Sequence, residues 1–363
     1  MRVDDMSLFG ETPQKLDEVR ATPSRADSEM YTHFQRPDRL HHPLYVITPI
    51  FNAVRYRSRW RLYQDFAKRI HEAGAVLITV EAAFGKRDFS VTNPDNPYHV
   101  QVRVSTELWL KENLINRGVA RLSELHPDWP KVAWIDGDVT FIRDDIADET
   151  RHALEHYPLV QMWTHAQDMG PDHTPINQQY GFAWCYINGM EPPSPPKKYK
   201  DYPPYYYAAR MAGKPGFYWH PGYAWAATRE AWDALGGLID VSVVGNADNQ
   251  MAYALIGKMD QALPEGLTKG YLSYLKEWEN RAIQYIRLDI GFVDGLVSHH
   301  WHGKKKDRQY QSRWQVLIEA GFDPAKDLKR DRQLVWQLTD RSIALRNGLR
   351  RVARQRNEDS IDI

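Results

Sequence analysis

An open α/β fold with a mostly parallel, doubly wound central sheet is the architecture this sequence predicts, and three features predict it. Strand-type runs at Leu44–Thr48, Ala75–Glu81 and Lys131–Ile135 alternate with segments of helical spacing, the order that βαβ units require. The key run is continuous in apolar residues, as a strand covered on both faces is. The first two runs end on a polar or acidic residue, Thr48 and Glu81, and the third is followed by Asp136, at the edge where open sheets bind ligands.

The elements follow in order. Residues 1–42 are polar, with Pro13, Pro23 and Pro37 and no sustained apolar period, so an extended or poorly ordered arm is expected. Leu44–Thr48 is the first strand, stopped by Pro49. Asn52 to His71 carries Trp60, Leu62, Tyr63, Phe66 and Ile70 at helical spacing, and Gly74 supplies the stop. Ala75–Glu81 is the second strand, ending on an acid, and Phe84 to Pro97 reads as a loop. Leu108 to Leu122 is a second helix, leading to the key strand.

Farther on, Ala147–His156 reads as a helix and Leu159–Trp163 as a strand. The proline-dense stretch Glu191–Pro204 excludes regular structure and reads as an inserted loop. Gly245–Gly257 holds an apolar helix, and Arg287–Val297 a late strand that delivers the chain to Ser298–Gly303. From Arg308 to Arg356, helical spacing in Trp314, Leu317 and Ile318 and again in Leu334, Val335, Leu338, Ile343, Leu345, Leu349 and Val352 predicts a C-terminal helical extension. Its arginines, from Arg341 to Arg356, read as a solvated face, with phosphate contact as the second reading.

Composition excludes several classes. Lys+Arg and Asp+Glu both number 47, so the whole molecule is no electrostatic glue for nucleic acid or membrane, and such a partner needs a local patch. Cys185 is the sole cysteine, which excludes a disulfide framework and a cysteine-based zinc cluster. No run reaches the length of a membrane span and no signal-peptide core follows Met1–Asp5, so a soluble, cytoplasmic protein is expected.

The stretch that organises the chain is Lys131-Val132-Ala133-Trp134-Ile135-Asp136-Gly137-Asp138-Val139, a buried strand ending in two carboxylates. Gly137 frees the backbone between them, so both can converge on one divalent cation, Mg2+ or Mn2+. Asp-Gly-Asp is also an ordinary polar turn. The late histidines offer further ligands, and imidazole suits Mn2+ better than Mg2+. His300 and His302 share a face by period two, whereas His299 and His302 share one if the backbone turns helically. His302 is favoured because Gly303 allows a tight turn after it.

Asp136-Gly137-Asp138 on its strand resembles the Asp-x-Asp motif of GT-A-fold glycosyltransferases, and the segment Lys111–Gly118 resembles the helix preceding that motif in galactosyltransferase-like members. Gly222–Ala227, Leu235–Leu238 and Gly245–Asp248 are similar to their acceptor side, with Asn246 and Ala247 standing where those enzymes carry acids. The resemblance spans about Leu44 to Tyr310. It implies a GT-A, Rossmann-like domain over 43–310, with a donor half to about 145 and an acceptor half beyond, between the arm at 1–42 and the extension at 311–363.

The same resemblance implies residue roles. Asp138 and His302 would hold Mn2+ or Mg2+, with Asp136 reaching metal or ribose and His299 as a further candidate ligand. Lys111, and Lys304 or Arg308, would neutralise the diphosphate of a nucleotide sugar, a UDP-sugar being favoured. Thr48, Asn52 and Glu81 sit where open sheets contact nucleosides, and turn or cap chemistry is their other reading. Asp248 is the candidate base for an acceptor hydroxyl, implying inversion, and a helix N-cap is its other reading. Trp219, His220, Tyr223 and Trp225 suit stacking on a sugar, with core packing as the competing explanation.

For the acceptor, Lys197–Lys200, Lys304–Lys306 and the C-terminal arginines lean toward a hydroxymethylated base in DNA, as phage-encoded enzymes of the host cytoplasm use. The alternatives are a nucleotidyltransferase using the same aspartates and a non-catalytic sugar- or nucleic-acid-binding module.

Overall fold

The computed structural model describes residues 42–193, 216–308 and 312–362. The expected arm up to residue 41, most of the proline-dense insert and the basic stretch Lys197–Lys200 lie outside them.

Strand β1 (Tyr45–Phe51) leads to α1 (Arg57–Glu72), which returns the chain to β2 (Val76–Phe84), parallel beside β1. β3 (His99–Val104) adds outside β2, and α2 (Lys111–Leu125) crosses to β4 (Lys131–Ile135) on the other flank of β1. Next come β5 (Val139–Phe141), α3 (Ile146–Ala153), β6 (Leu159–Gln161), β7 (His165–Met169), β8 (Pro175–Gly181) and α4 (Phe182–Ile187). β9 (Phe217–His220) and β10 (Ala224–Thr228) precede α5 (Arg229–Leu235), α6 (Ala247–Leu255) and α7 (Lys269–Arg281). The chain ends in β11 (Ile290–Phe292), β12 (Leu296–His299), α8 (Ser312–Glu319), α9 (Pro324–Asp327), β13 (Leu328–Arg330), β14 (Trp336–Leu338) and α10 (Ile343–Gln355).

The central sheet is seven-stranded and mixed α/β in setting, in the order β11-β6-β10-β4-β1-β2-β3. All its pairings are parallel except those of β10, which runs antiparallel between β4 and β6. Alternate residues segregate to two cores. Tyr45, Ile47, Val132 and Trp134 join one, Val46, Ala133 and Ile135 the other. Leu114, Ile115, Val119 and Leu122 of α2 cover the first face and Tyr63, Phe66 and Ile70 of α1 the second, so the sheet is wound on both sides. Contact is close enough that a Cβ on Gly118 would stand 2.3 Å from Ile47.

A second sheet, β5-β12-β7-β8-β9, continues the chain past β4. The turn Asp136–Asp138 is therefore the hinge point between two sheets, leaving one at Ile135 and entering the other at Val139.

The loop expected from Phe84 to Pro97 is present after β2, and beyond it lies β3, which the sequence reading did not assign: Val100, Val102 and Val104 alternate along it at the sheet edge. Two expectations are corrected. The late strand is two, β11 and β12, broken at Asp294–Gly295 and placed in different sheets. The C-terminal extension is not helical throughout, since β13 and β14 form a hairpin with Leu334 exposed at φ 63° in its turn. Two short strands mimic helical spacing when a turn residue is apolar.

Candidate active site

Both ends of the Asp136–Asp138 turn are fastened. The Asp136 amide donates to the Tyr223 carbonyl at 2.8 Å, and the His300 amide donates to the Asp138 carbonyl at 2.9 Å. The two carboxylates nonetheless part company. Asp136 meets Lys111 at 2.5 Å, whereas Asp138 faces the histidines, with Oδ2 3.5 Å from His302 Nε2. A Cβ at Gly137 would find only ordinary contacts at 3.5 Å, so the glycine does not force convergence.

Asp138, His299 and His302 present ligand atoms within 4.8 Å of one another, a set that Asp136 does not join. Register explains His299, because β12 pairs with β5 and sets His299 against Val139, next to Asp138. His300 points elsewhere, its Nε2 2.9 Å from Thr140 Oγ1. The pair His299 and His302 is thus brought together and the pair His300 and His302 is not, although residues 300–302 form no helical turn. Gly303, at φ 83°, turns the chain after His302.

Hydrogen bonds fix both rings. His299 Nδ1 donates to Asp168 Oδ1 at 2.8 Å and His302 Nδ1 donates to the His300 carbonyl at 3.0 Å. In a neutral ring so bonded, Nε2 carries the lone pair. Burial, reinforced by Arg308, pushes His302 down to about 3, so the ring is neutral near pH 7. A lone pair and a carboxylate facing each other repel unless a cation lies between them. Asp138 Oδ1 is moreover buried without a hydrogen-bond partner. The residues fit a divalent ion, and two imidazoles with one carboxylate suit Mn2+, Fe2+ or Zn2+.

The trio opens into a cleft that is also lined by Arg59, Lys111, Glu112, Lys305, Arg308, Arg313 and Arg356. Burial opposes the charge on Lys111, but Asp136 and Asp248 raise it above the usual lysine range, so it stays an ammonium. Burial pushes Glu112 up to about 8 even with Lys111 beside it, so it holds a proton at neutral pH. Asp138 is lowered: burial opposes this, but His302, His299 and the two arginines Arg308 and Arg59 prevail.

Asp248 lines the cleft from the first turn of α6, one oxygen accepting from the Asn249 amide at 2.8 Å. It is not the N-cap; Asn246 holds that place at φ 78°. His220 and Tyr223 also line the cleft, their rings stacked at 4.3 Å.

Other expected site residues lie elsewhere. Trp219 and Trp225 do not reach this cleft: Trp219 packs on Phe182 and Trp225 donates to the Pro221 carbonyl, so both belong to the core. Thr48 is fully buried and donates to the Ile135 carbonyl. Asn52 closes the turn to Tyr56 with both its amide atoms. Glu81 accepts from the amides of Ser90, Val91 and Thr92 and organises the loop after β2. For Asn52 and Glu81 turn chemistry describes these bonds, whereas Thr48 ties β1 to the end of β4. Lys304 sits 4.0 Å from Asp362, and it is Lys305 that turns into the cleft.

Sequence reasoning missed Arg59, Glu112, Arg313, Asp168 and Glu358. Arg59 and Glu112 lie one helical turn or less from residues singled out, so a face count along α1 and α2 would have found them. Nothing local marks Asp168 or Glu358, whose partners are 131 and 299 residues away.

Fold and site together define an open α/β protein whose strand-end carboxylate and two imidazoles face a cation-rich cleft. No protein-family model matches the chain, and no curated protein matches it. Among solved structures, the chain is similar to the catalytic domain of Drosophila β1,4-galactosyltransferase 7 in complex with xylobiose, at 13% identity and a TM-score of 0.28. That likeness covers 61% of this chain and 63% of that one, so the chain spans less than two thirds of the galactosyltransferase domain. It is also similar to a glycosyltransferase involved in glycosylation of the major capsid of PBCV-1, at 7% identity and a TM-score of 0.29, over 75% of this chain and 99% of that one. At such scores the function rests on the site. Among the described residues no helix is long and apolar enough to cross a membrane.

Proposed function

We propose that this chain is a metal-dependent glycosyltransferase that moves a sugar from a nucleotide diphosphate to an acceptor hydroxyl. One observation carries the reading: the acceptor atoms of Asp138, His299 and His302 face one another in the cleft that also holds Lys111, Lys305 and Arg308. A diphosphate leaving group gathers negative charge as its bond to sugar breaks, and such a cleft stabilises it. A divalent ion held by Asp138, His299 and His302 would supply Lewis-acid stabilisation of that charge.

Lys111 is kept cationic by Asp136 and faces the leaving group from the other side of the turn. Asp248 takes the proton of the acceptor hydroxyl as its oxygen bonds to the anomeric carbon. The bond to the diphosphate oxygen breaks in the same displacement, and the diphosphate departs with the electron pair. Inversion follows from a single displacement. His220 and Tyr223 offer ring faces beside Asp248 for the sugar or acceptor.

The hydroxymethylated DNA base is the acceptor to assay first, although three of the tail's arginines are engaged within the protein. Arg341 pairs with Asp327, Arg350 with Glu107 and Arg356 with Glu358.

A thermal-shift series of nucleotide sugars with and without Mn2+ tests the reading, because a ligand that binds the native state raises its apparent stability. The expected result is a metal-dependent rise with at least one UDP-sugar, lost in Asp138→Asn, together with metal-dependent donor hydrolysis. Pyrophosphate release from nucleoside triphosphates with no turnover of any nucleotide sugar would instead identify a nucleotidyltransferase. Binding without turnover would identify a non-catalytic module.

A further inference from the structure

The geometry points to Asp168 as a positioning residue of the metal centre: it sets the tautomer and orientation in which His299 presents Nε2 to the cleft. The inference rests on the metal-dependent reading above.

Asp168 stands behind the trio rather than in the cleft. It lies on β7 directly beside His299 of β12, the two being register partners in a parallel pair. Its side chain is 3% exposed, and both oxygens are used. Oδ1 accepts from His299 Nδ1 at 2.8 Å and from the Tyr223 hydroxyl at 3.2 Å. Oδ2 accepts from Gln179 Nε2 at 2.7 Å and from the Lys305 ammonium.

A buried carboxylate needs partners, and a purely structural account would be content with Lys305 and Gln179. What that account leaves unexplained is the histidine. A carboxylate can only accept, so His299 Nδ1 carries the proton, and in the neutral ring that metal ligation requires Nε2 carries the lone pair. The Tyr223 ring stacks on His299 at 4.7 Å and its hydroxyl returns to the same oxygen, which holds the imidazole plane as well as its tautomer. Negative charge behind the ring also makes Nε2 a better ligand. One carboxylate thus ties a cleft imidazole to a cleft ammonium, His299 and Lys305, and keeps the cation drawn back toward β7.

The test is Mn2+ binding by the full chain, followed by electron paramagnetic resonance of the free ion. Asp168→Asn is expected to weaken binding 10- to 100-fold, the usual effect of losing such an outer partner. In a His299→Ala background the same change is expected to add nothing, because its effect passes through His299. A merely structural role would weaken binding equally in both backgrounds, and that result overturns the inference. So does an Asp168→Asn protein that binds Mn2+ like the wild type. Should Asp168→Asn not fold, Asp168→Glu keeps the charge and displaces it by a methylene. Its binding is expected to weaken severalfold at unchanged melting temperature, and wild-type affinity would overturn the inference. Wild-type protein that binds no Mn2+ removes the metal reading itself, a failure visible in the control alone.

Discussion

Two buried carboxylates, Asp168 and Glu358, each gather two groups that face the same cleft, but they do so on different scaffolds. Asp168 is embedded in a sheet, where strand register sets its neighbour His299. Glu358 lies past the last helix, in a tail with no regular structure. Its side chain is fully buried, taking Arg59 Nη2 at 2.7 Å and Arg356 Nε at 2.6 Å. Burial alone would raise its acidity range, yet Arg59 and Arg356 hold it well below the usual one. Neighbouring tail residues fasten the surroundings: Asp359 accepts from the Arg57 and Ser58 amides at 2.9 Å, and the Ser360 carbonyl accepts from Trp301 Nε1 at 2.6 Å. Strands place the metal ligands; a tail braces the cationic wall. Removing the first should cost affinity, removing the second stability.

The largest expected effect is that of Glu358→Ala. It leaves two buried guanidiniums without their carboxylate, a loss of roughly 3–5 kcal/mol for breaking such a pair. Urea unfolding measures it. Mn2+ affinity of the folded fraction is expected to stay near wild type, and a loss as large as that of Asp168→Asn would erase the contrast between the two carboxylates. Gly303→Ala ranks next. Its backbone sits at φ 83° and a Cβ would stand 2.6 Å from the Asn357 carbonyl, so about 1–3 kcal/mol of overpacking is expected. Here both properties should fall, because the glycine joins the tail to His302. Asp359→Ala is smaller, about 1 kcal/mol, since it removes the side chain that caps the first turn of α1, whose own N-cap Tyr56 makes no side-chain capping bond. An unchanged midpoint would mean that water caps that helix equally well.

The same contrast explains what was legible in the sequence. Asp136, Asp138, His302 and Lys111 could be read because each lies at a strand end or helix start that local periodicity marks. Asp248 could be read for the same reason, at the head of α6. Apolar pattern and strand order go together in this way, and the central sheet followed from three runs. The tail could not be read, because Glu358 and Asp359 look like any acidic end until Arg59 and the α1 amides are seen to meet them. Asp168 was hidden likewise: in His165–Met169 only Ala166 and Met169 are apolar, at a spacing that is not the period of a strand. Thr48, Asn52 and Glu81 show the converse. Their position at strand ends suits a nucleoside, and in the fold their side chains bond to backbone groups.

A third buried carboxyl sharpens the comparison through an effect read as a slope in pH rather than as a single loss. Glu112 lines the cleft beside Lys111, yet burial pushes it up to about 8, whereas Asp168 and Glu358 are lowered by the cations that touch them. Lys111 does not rescue it, being drawn to Asp136 at 2.5 Å. A carboxyl raised in the folded state binds more protons there than in the unfolded chain, where its value is near 4.3. Its contribution to stability is therefore complete below about pH 4.3 and is lost as pH rises toward 8. Glu112→Gln removes that dependence. The stability of the variant relative to wild type should grow from pH 5 to pH 8 and then level off, at no more than about 1.4 kcal/mol per pH unit. Urea midpoints at pH 5, 7 and 9 measure it, and a difference that stays constant would show that Glu112 is ionised in the fold like the other two.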